Sequence, residues 1–155
     1  MRRIRGLHGA WIALLAAAAD RMSKAAVARL AHRGALIPGI INLRPVENRG
    51  AAFSMLWGQD VALILLTVAL IAGLLAWLIA RPEAPRGLRA SLWLIVGGGL
   101  GNLYDRLFFG GVADFIELAF VRFAVFNIAD VCICAGAALA VVAMALDERK
   151  GKRTR

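Results

Sequence analysis

The sequence predicts an all-α membrane protein: four transmembrane helices, with a small extracytoplasmic β-like cradle between the first two spans. Three observations predict it. The 155 residues are 61% hydrophobic and only 19% charged, with a mean hydropathy of +0.71, which is too apolar for a soluble domain of this size. The run VALILLTVALIAGLLAWLIA, Val61–Ala80, carries no charge over 20 residues; at about 1.5 Å per residue it spans a hydrocarbon core about 30 Å thick. The basic residues are also unevenly placed. Of the 19 Lys and Arg, 11 fall before the first span, between the second and third, or after the fourth. That asymmetry puts both termini in the cytoplasm and argues against nucleic acid as the partner of a chain with net charge +9.

The elements follow in order within a single domain, residues 1–155. A first span is expected at about residues 9–30. Its basic head, apolar WIALLAAAA and small residues before Asp20 also fit a secretory signal, but cleavage would leave three spans and break the charge pattern. Next comes LAHRGALIPGIINLRPVENRGAAFSMLWGQ, where Pro38, Gly39, Pro45, Gly50 and the alternation Ile41, Asn42, Leu43, Arg44 predict a short strand pair on the outer face. This cradle covers about residues 31–60, and the second span is 61–80. RPEAPRGLR is a Pro-broken cytoplasmic turn joining antiparallel neighbours, leading to spans at about 90–109 and 124–146. Cys132 and Cys134 are two apart, hence about 200° apart around a helix, and read as packing residues. With two distant histidines and no ligand spacing, no metal or other cofactor is implied.

Ionisable groups inside spans mark functional candidates, because a charge at the bilayer centre costs roughly 2.5 to 3.5 kcal/mol on insertion scales. Asp20 and Lys24 are one turn apart and can pair. Asn102 and Arg106 share a face at i and i+4, with Asp105 beside them, and read either as a buried network joining helices or as substrate-binding groups. Gly97 and Gly101 form a small-xxx-small pattern for close helix contact. Asn127 and Asp130, three apart in FNIADV, are expected on one helix face.

Asp114 in GGVADFIEL and Asp130 lack a basic neighbour in sequence. Burial raises a carboxyl pKa, and bringing two carboxyls together raises one of them further. At about 4 Å and an effective dielectric near 20 the repulsion is about 4 kcal/mol, or about three pKa units. Such a pair holds one proton near neutrality and can activate water against a peptide carbonyl. The alternative is two independent residues at helix ends, with Asp130 near the positive end of a helix dipole.

DRMSK at Asp20–Lys24, ENRGAAFS at Glu47–Ser54, GGGLGNLYDR at Gly97–Arg106, GGVADFI at Gly110–Ile116 and FNIAD at Phe126–Asp130 occur in this order along almost the whole chain. In these five blocks the sequence resembles the lipoprotein (prolipoprotein) signal peptidases. The resemblance implies a four-helix, multi-pass aspartic endopeptidase of the bacterial inner membrane. Its activity would be to cut a diacylglyceryl-modified prolipoprotein just before the lipidated cysteine, near the outer face, as a monomer among membrane lipids. By motif, Asp114 and Asp130 would be catalytic. Asn48 and Gly50 would shape the substrate cradle, where Gly50, Ala51 and Ala52 leave room for an extended peptide. Asn102, Arg106 and Asn127 would position groups, and Asp20 and Lys24 would brace the site. The stretch FIELAFVRFAVFNIA between the aspartates is shorter than the family pattern and lacks its Trp and Pro, and residue 49 is Arg. Two other classes compete: a small proton-coupled transporter, which also needs carboxylates inside spans, and a scaffold whose polar groups only join helices.

Overall fold

The computed structural model describes residues 7–30, 34–50 and 60–153. Along the described residues run α1 (Ala10–Arg29), β1 (Gly34–Ile37), β2 (Ile41–Asn48), α2 (Asp60–Ala80), α3 (Arg86–Phe109), β3 (Val112–Leu118) and α4 (Ile128–Arg153). The helices pack around α3, which touches each of the other three.

The glycines of GGGLG explain that central place. A Cβ on Gly97 would sit 2.6 Å from the Ala13 carbonyl oxygen of α1, and one on Gly98 would sit 2.4 Å from the Ala129 oxygen of α4. Both neighbours therefore run against the α3 backbone itself, with only hydrogen at the contact. Beside these contacts lies an apolar cluster of Ala13, Ile71, Leu78, Trp93 and Val96. Its end is closed by Arg89, the last residue of the RPEAPRGLR turn. It is buried and donates to the carbonyls of Leu78 at 3.0 Å and Arg81 at 2.8 Å. A cation is well placed there, because the last carbonyls of α2 have no partner within their own helix.

Among the described residues, two helices contain stretches long and apolar enough to cross a membrane, Val61–Ala80 and Ile128–Arg149. They turn residues such as Leu65, Leu70, Val141 and Val142 outward. The helices α1 and α3 carry Asp20, Arg21 and Lys24, and Arg89, Asp105 and Arg106, so composition alone does not mark them as spans.

The cradle differs from its expected form. The strand pair is present: β1 and β2 are antiparallel, joined through Pro38 and Gly39, where Gly39 takes φ 74° and Ile40 N–H donates to Ile37 O at 3.0 Å. Pro followed by a left-handed Gly is the pairing that such a tight turn requires. The register then shifts between Leu43 and Val46, around Pro45, which has no N–H for the ladder. The sheet, however, is not confined to the stretch between the first two helices. Its third strand is β3, in the order β1-β2-β3, with Ile41 opposite Leu118 and Asn48 opposite Val112. Gly110 (φ 75°) ends α3 and turns the chain into that strand.

The fourth helix also begins later than expected. Residues 124–127 are not helical, and Phe126 instead bridges Ile116, donating to its oxygen at 3.0 Å and accepting from its N–H at 2.8 Å. Asn127 therefore precedes the helix rather than sharing its face with Asp130. The expected contribution of Ala51 and Ala52 lies outside the described residues.

The α3–α4 contact yields a paired prediction. Gly98→Ala is expected to lower the thermal unfolding midpoint of the protein in detergent, since overpacking costs about 1–3 kcal/mol. Gly73→Ala, where a Cβ meets nothing within 4 Å, should leave the midpoint unchanged or raise it, the helical gain being up to about 1 kcal/mol.

Candidate active site

The polar residues meet where β3, the start of α4 and the middle of α3 converge. Asn127 occupies the cap position of α4. Its Oδ1 accepts the Asp130 N–H at 2.9 Å, and its own N–H donates to Asp130 Oδ2 at 3.1 Å. This reciprocal pairing satisfies two backbone donors that a helix start leaves open. Both hydrogens of the Asn127 amide are used as well: Nδ2 donates to Asp114 Oδ1 at 2.6 Å and to Asn102 Oδ1 at 3.0 Å. Asn102 Nδ2 in turn donates to Asp130 Oδ1 at 2.8 Å. The two aspartates thus hang on a shared pair of amides.

The cradle reaches the same point. Asn48, the last residue of β2, donates from Nδ2 to Asp114 Oδ2 at 2.9 Å and accepts the Gly50 N–H at 2.9 Å. Arg106 donates to the Gly50 carbonyl at 2.9 Å, fixing the corner where the strand leaves the sheet.

Behind these groups lies a buried ionic frame. Lys24 pairs with Asp20 at 2.7 Å and with Asp105 at 2.8 Å, and Arg21 also bonds Asp105. Lys24 further donates to Asn102 Oδ1 at 3.3 Å. The two aspartates of this frame each hold a backbone N–H next to the site. Asp20 Oδ1 accepts from Ala129 at 3.0 Å and Asp105 Oδ2 accepts from Ala113 at 3.2 Å. Ala129 precedes Asp130 and Ala113 precedes Asp114, so each acid of the site has its own anchor on the chain before it.

All nine residues singled out from sequence as site candidates therefore fall in one region. Asp105 joins α1 to α3 in a buried network, one of the two readings its neighbourhood allowed from sequence; sequence reasoning missed its hold on the Ala113 N–H and the part played by Arg21. The available signal was the repeated Asp-Arg dipeptide, at 20–21 and 105–106, which placed two acid–base neighbours in helices that face each other.

Asp114 and Asp130 both line a cavity of about 550 Å³. Asn48, Asn102 and Arg106 supply the rest of its polar wall, and Phe123, Val125, Ile133 and Cys134 are among its apolar lining. Burial pushes the Asp114 carboxyl up from its ordinary value to about 6. The negative charge of Asp130 pushes in the same direction, while the hydrogen bonds from Asn48 and Asn127 favour the ionised form and pull against both. A carboxyl that keeps its proton to this pH, facing a second carboxylate across a greasy cleft, can combine acid and base in one step on a bound amide.

The family model described as Signal peptidase (SPase) II matches residues 12–146. The chain belongs to the signal peptidase II family. As a signal peptidase II it is an aspartic protease. It is 39% identical over 112 residues to a lipoprotein signal peptidase of Streptococcus thermophilus, covering 72% of this chain and 73% of that protein. To the lipoprotein signal peptidase of Thermosynechococcus vestitus it is 37% identical over 132 residues, 81% and 84% of the two chains. Two solved structures described as bacterial membrane enzymes share its fold. One has a TM-score of 0.82 at 27% identity, covering 89% of this chain and 87% of that one; the other has 0.78 at 28%, covering 86% and 90%.

Removing a donor to Asp114 should move its titration in a known direction. Asn48→Ala takes away a hydrogen bond that favours the charged form, so the Asp114 pKa is expected to rise above about 6. An infrared titration of its carboxyl band, assigned by loss of that band in Asp114→Asn, measures the shift.

Proposed function

We propose that this signal peptidase II removes signal peptides from diacylglyceryl-modified prolipoproteins, cutting just before the lipidated cysteine, with Asp114 and Asp130 as its catalytic pair. One observation carries the assignment: two carboxylates from separate elements line one cavity and are joined through Asn127, whose Nδ2 donates to Asp114 and whose backbone N–H donates to Asp130. The apolar half of that cavity suits a signal helix, and the polar half suits the bond to be cut. Family membership and the named relatives support this reaction, and they lend no support to a proton-coupled transporter.

In the proposed step, Asp130 takes a proton from water as the water oxygen attacks the scissile carbonyl. Asp114, holding its proton to about pH 6, hydrogen-bonds the carbonyl oxygen and then protonates the leaving amine as the C–N bond breaks. Proton exchange through solvent returns the pair to its starting state. Asn127 and Asn102 keep the acids apart and aimed. Asp20, Lys24 and Asp105 hold the backbone beneath them, and Asn48, Gly50 and Arg106 shape the wall on which an extended peptide would lie.

The same reading extends to the membrane. We take all four helices as spans of the bacterial inner membrane, in a single monomeric domain, with both termini cytoplasmic and the site near the outer face. Two points support it. Asp20 and Lys24 of α1 and Asp105 of α3 pair with one another inside the bundle, and Arg81, Arg86, Arg89 and Arg149 stand toward the helix ends away from the strands.

Asp114→Asn and Asp130→Asn should each lower cleavage of a diacylglyceryl-modified prolipoprotein by roughly 10²- to 10⁴-fold, the usual weight of a positioned acid or base, with thermal midpoints showing that the proteins remain folded. Wild-type rates in both variants would remove the pair from the mechanism.

The pH profile gives a second check. The proton needed on Asp114 is present below its pKa and lost above it, so kcat/KM, which reports free enzyme, should fall as pH rises through about 6. Bound signal peptide excludes water and raises the pKa further. The corresponding limb in kcat should therefore lie at higher pH.

A further inference from the structure

A second cleft, about 360 Å³ in volume, runs between α1 and α3 on the outside of the bundle. We propose that it binds a phospholipid, whose phosphate sits on Arg21 and one of whose acyl chains lies along Ala17, Ala18, Leu100 and Gly101.

The cleft is apolar along its length and has one cationic end, which is Arg21. The guanidinium carbon lies between two rings, 4.8 Å from the Tyr104 centroid and 5.3 Å from that of Phe109. Its one hydrogen-bond partner among the described residues is Asp105. Asp105 lies behind it, 1% exposed, whereas the Arg21 side chain is 34% exposed. The surface thus displays the cation and hides the anion. A guanidinium offers five N–H donors in a plane, so the single bond to Asp105 leaves others open on the exposed part of the side chain. Hydrocarbon has no acceptor for them, and leaving such donors unmet in lipid is costly.

A phosphate supplies what is missing, since its oxygens match the guanidinium fork in a bidentate contact. The surrounding residues set the depth: Tyr104, Phe108 and Phe109 are exposed near the end of α3, and Tyr in particular settles at headgroup level. Away from this end, Ala17, Ala18 and Gly101 leave the furrow open between apolar leucines. The occupant is therefore a lipid carrying phosphate at its head, not a neutral diacylglycerol. A second copy of the chain would bury the furrow but would have to bring its own acceptor to Arg21.

Native mass spectrometry of the full-length protein tests the site without measuring cleavage, so its outcome is separate from the peptidase assignment. Detergent-solubilised protein is given phosphatidylglycerol or a diacylglycerol with the same chains. The wild type should retain phosphatidylglycerol at least tenfold better than diacylglycerol. Ala18→Phe, which fills the furrow and leaves the Arg21–Asp105 pair in place, should cut that retention about tenfold, and Arg21→Gln should do the same. Unchanged phosphatidylglycerol retention in Ala18→Phe would overturn the proposal, as would equal retention of the two lipids or a lipid-free dimer. Should Arg21→Gln fail to fold, the Ala18→Phe variant and the lipid comparison still decide it.

Discussion

The carboxamide of Asn127 is the point on which the site depends. Fully buried, it spends one hydrogen on Asp114, the other on Asn102, and its oxygen on the first turn of α4. An amide in that position has no spare group to satisfy and no water to fall back on. Its orientation is therefore set by the sum of its partners, and they in turn by it. Strand β3, helix α3 and the start of α4 are locked to one another at this residue.

That lock needs a firm base, which the charges of α1 provide. Asp20 and Asp105 each pair with Lys24 and each take the backbone N–H just before one of the site's acids. Placing three charged groups in a lipid-bounded interior is unfavourable unless every one is paired. Removing one partner of such a buried set typically costs 3–5 kcal/mol, because the rest is left uncompensated. The polar breaks in an otherwise apolar first helix are thus tied to chemistry two elements away. The glycines of α3 belong to the same arrangement: a Cβ on Gly101 would sit 2.7 Å from Asp20 Oδ2, so that small residue makes room for the acid.

The sheet gives the site its polar wall and its raised carboxyl. Asp114 stands in β3 opposite Val46, its buried side chain bonded to the Asn127 cap of α4 while its neighbour Ala113 is exposed. Had the acid stood on a mobile loop, solvent would have kept its pKa near the ordinary value. A strand paired on one edge to β2, and bridged by Phe126 on the other, holds it in place while desolvating it.

Much of this chain was legible from local pattern. The uncharged run Val61–Ala80, the Pro38–Gly39 turn, the i,i+4 pair of Asp20 and Lys24, and the small-xxx-small face of Gly97 and Gly101 each arise from contacts within a few residues or along one helix face, so periodicity and spacing expose them. The motif blocks added which acids to watch. Tertiary structure alone decided the rest. VADFIEL becomes a strand because β2, more than sixty residues earlier, presents an edge for it. Asn127 becomes a cap because Phe126 is drawn into the sheet and stops the helix from starting earlier. Arg89 is a buried helix cap, and Asp105 an anchor for Ala113, because of neighbours that no local window contains. Backbone hydrogen bonds and buried charges must find partners wherever packing brings them, and that search runs through space, not along the chain.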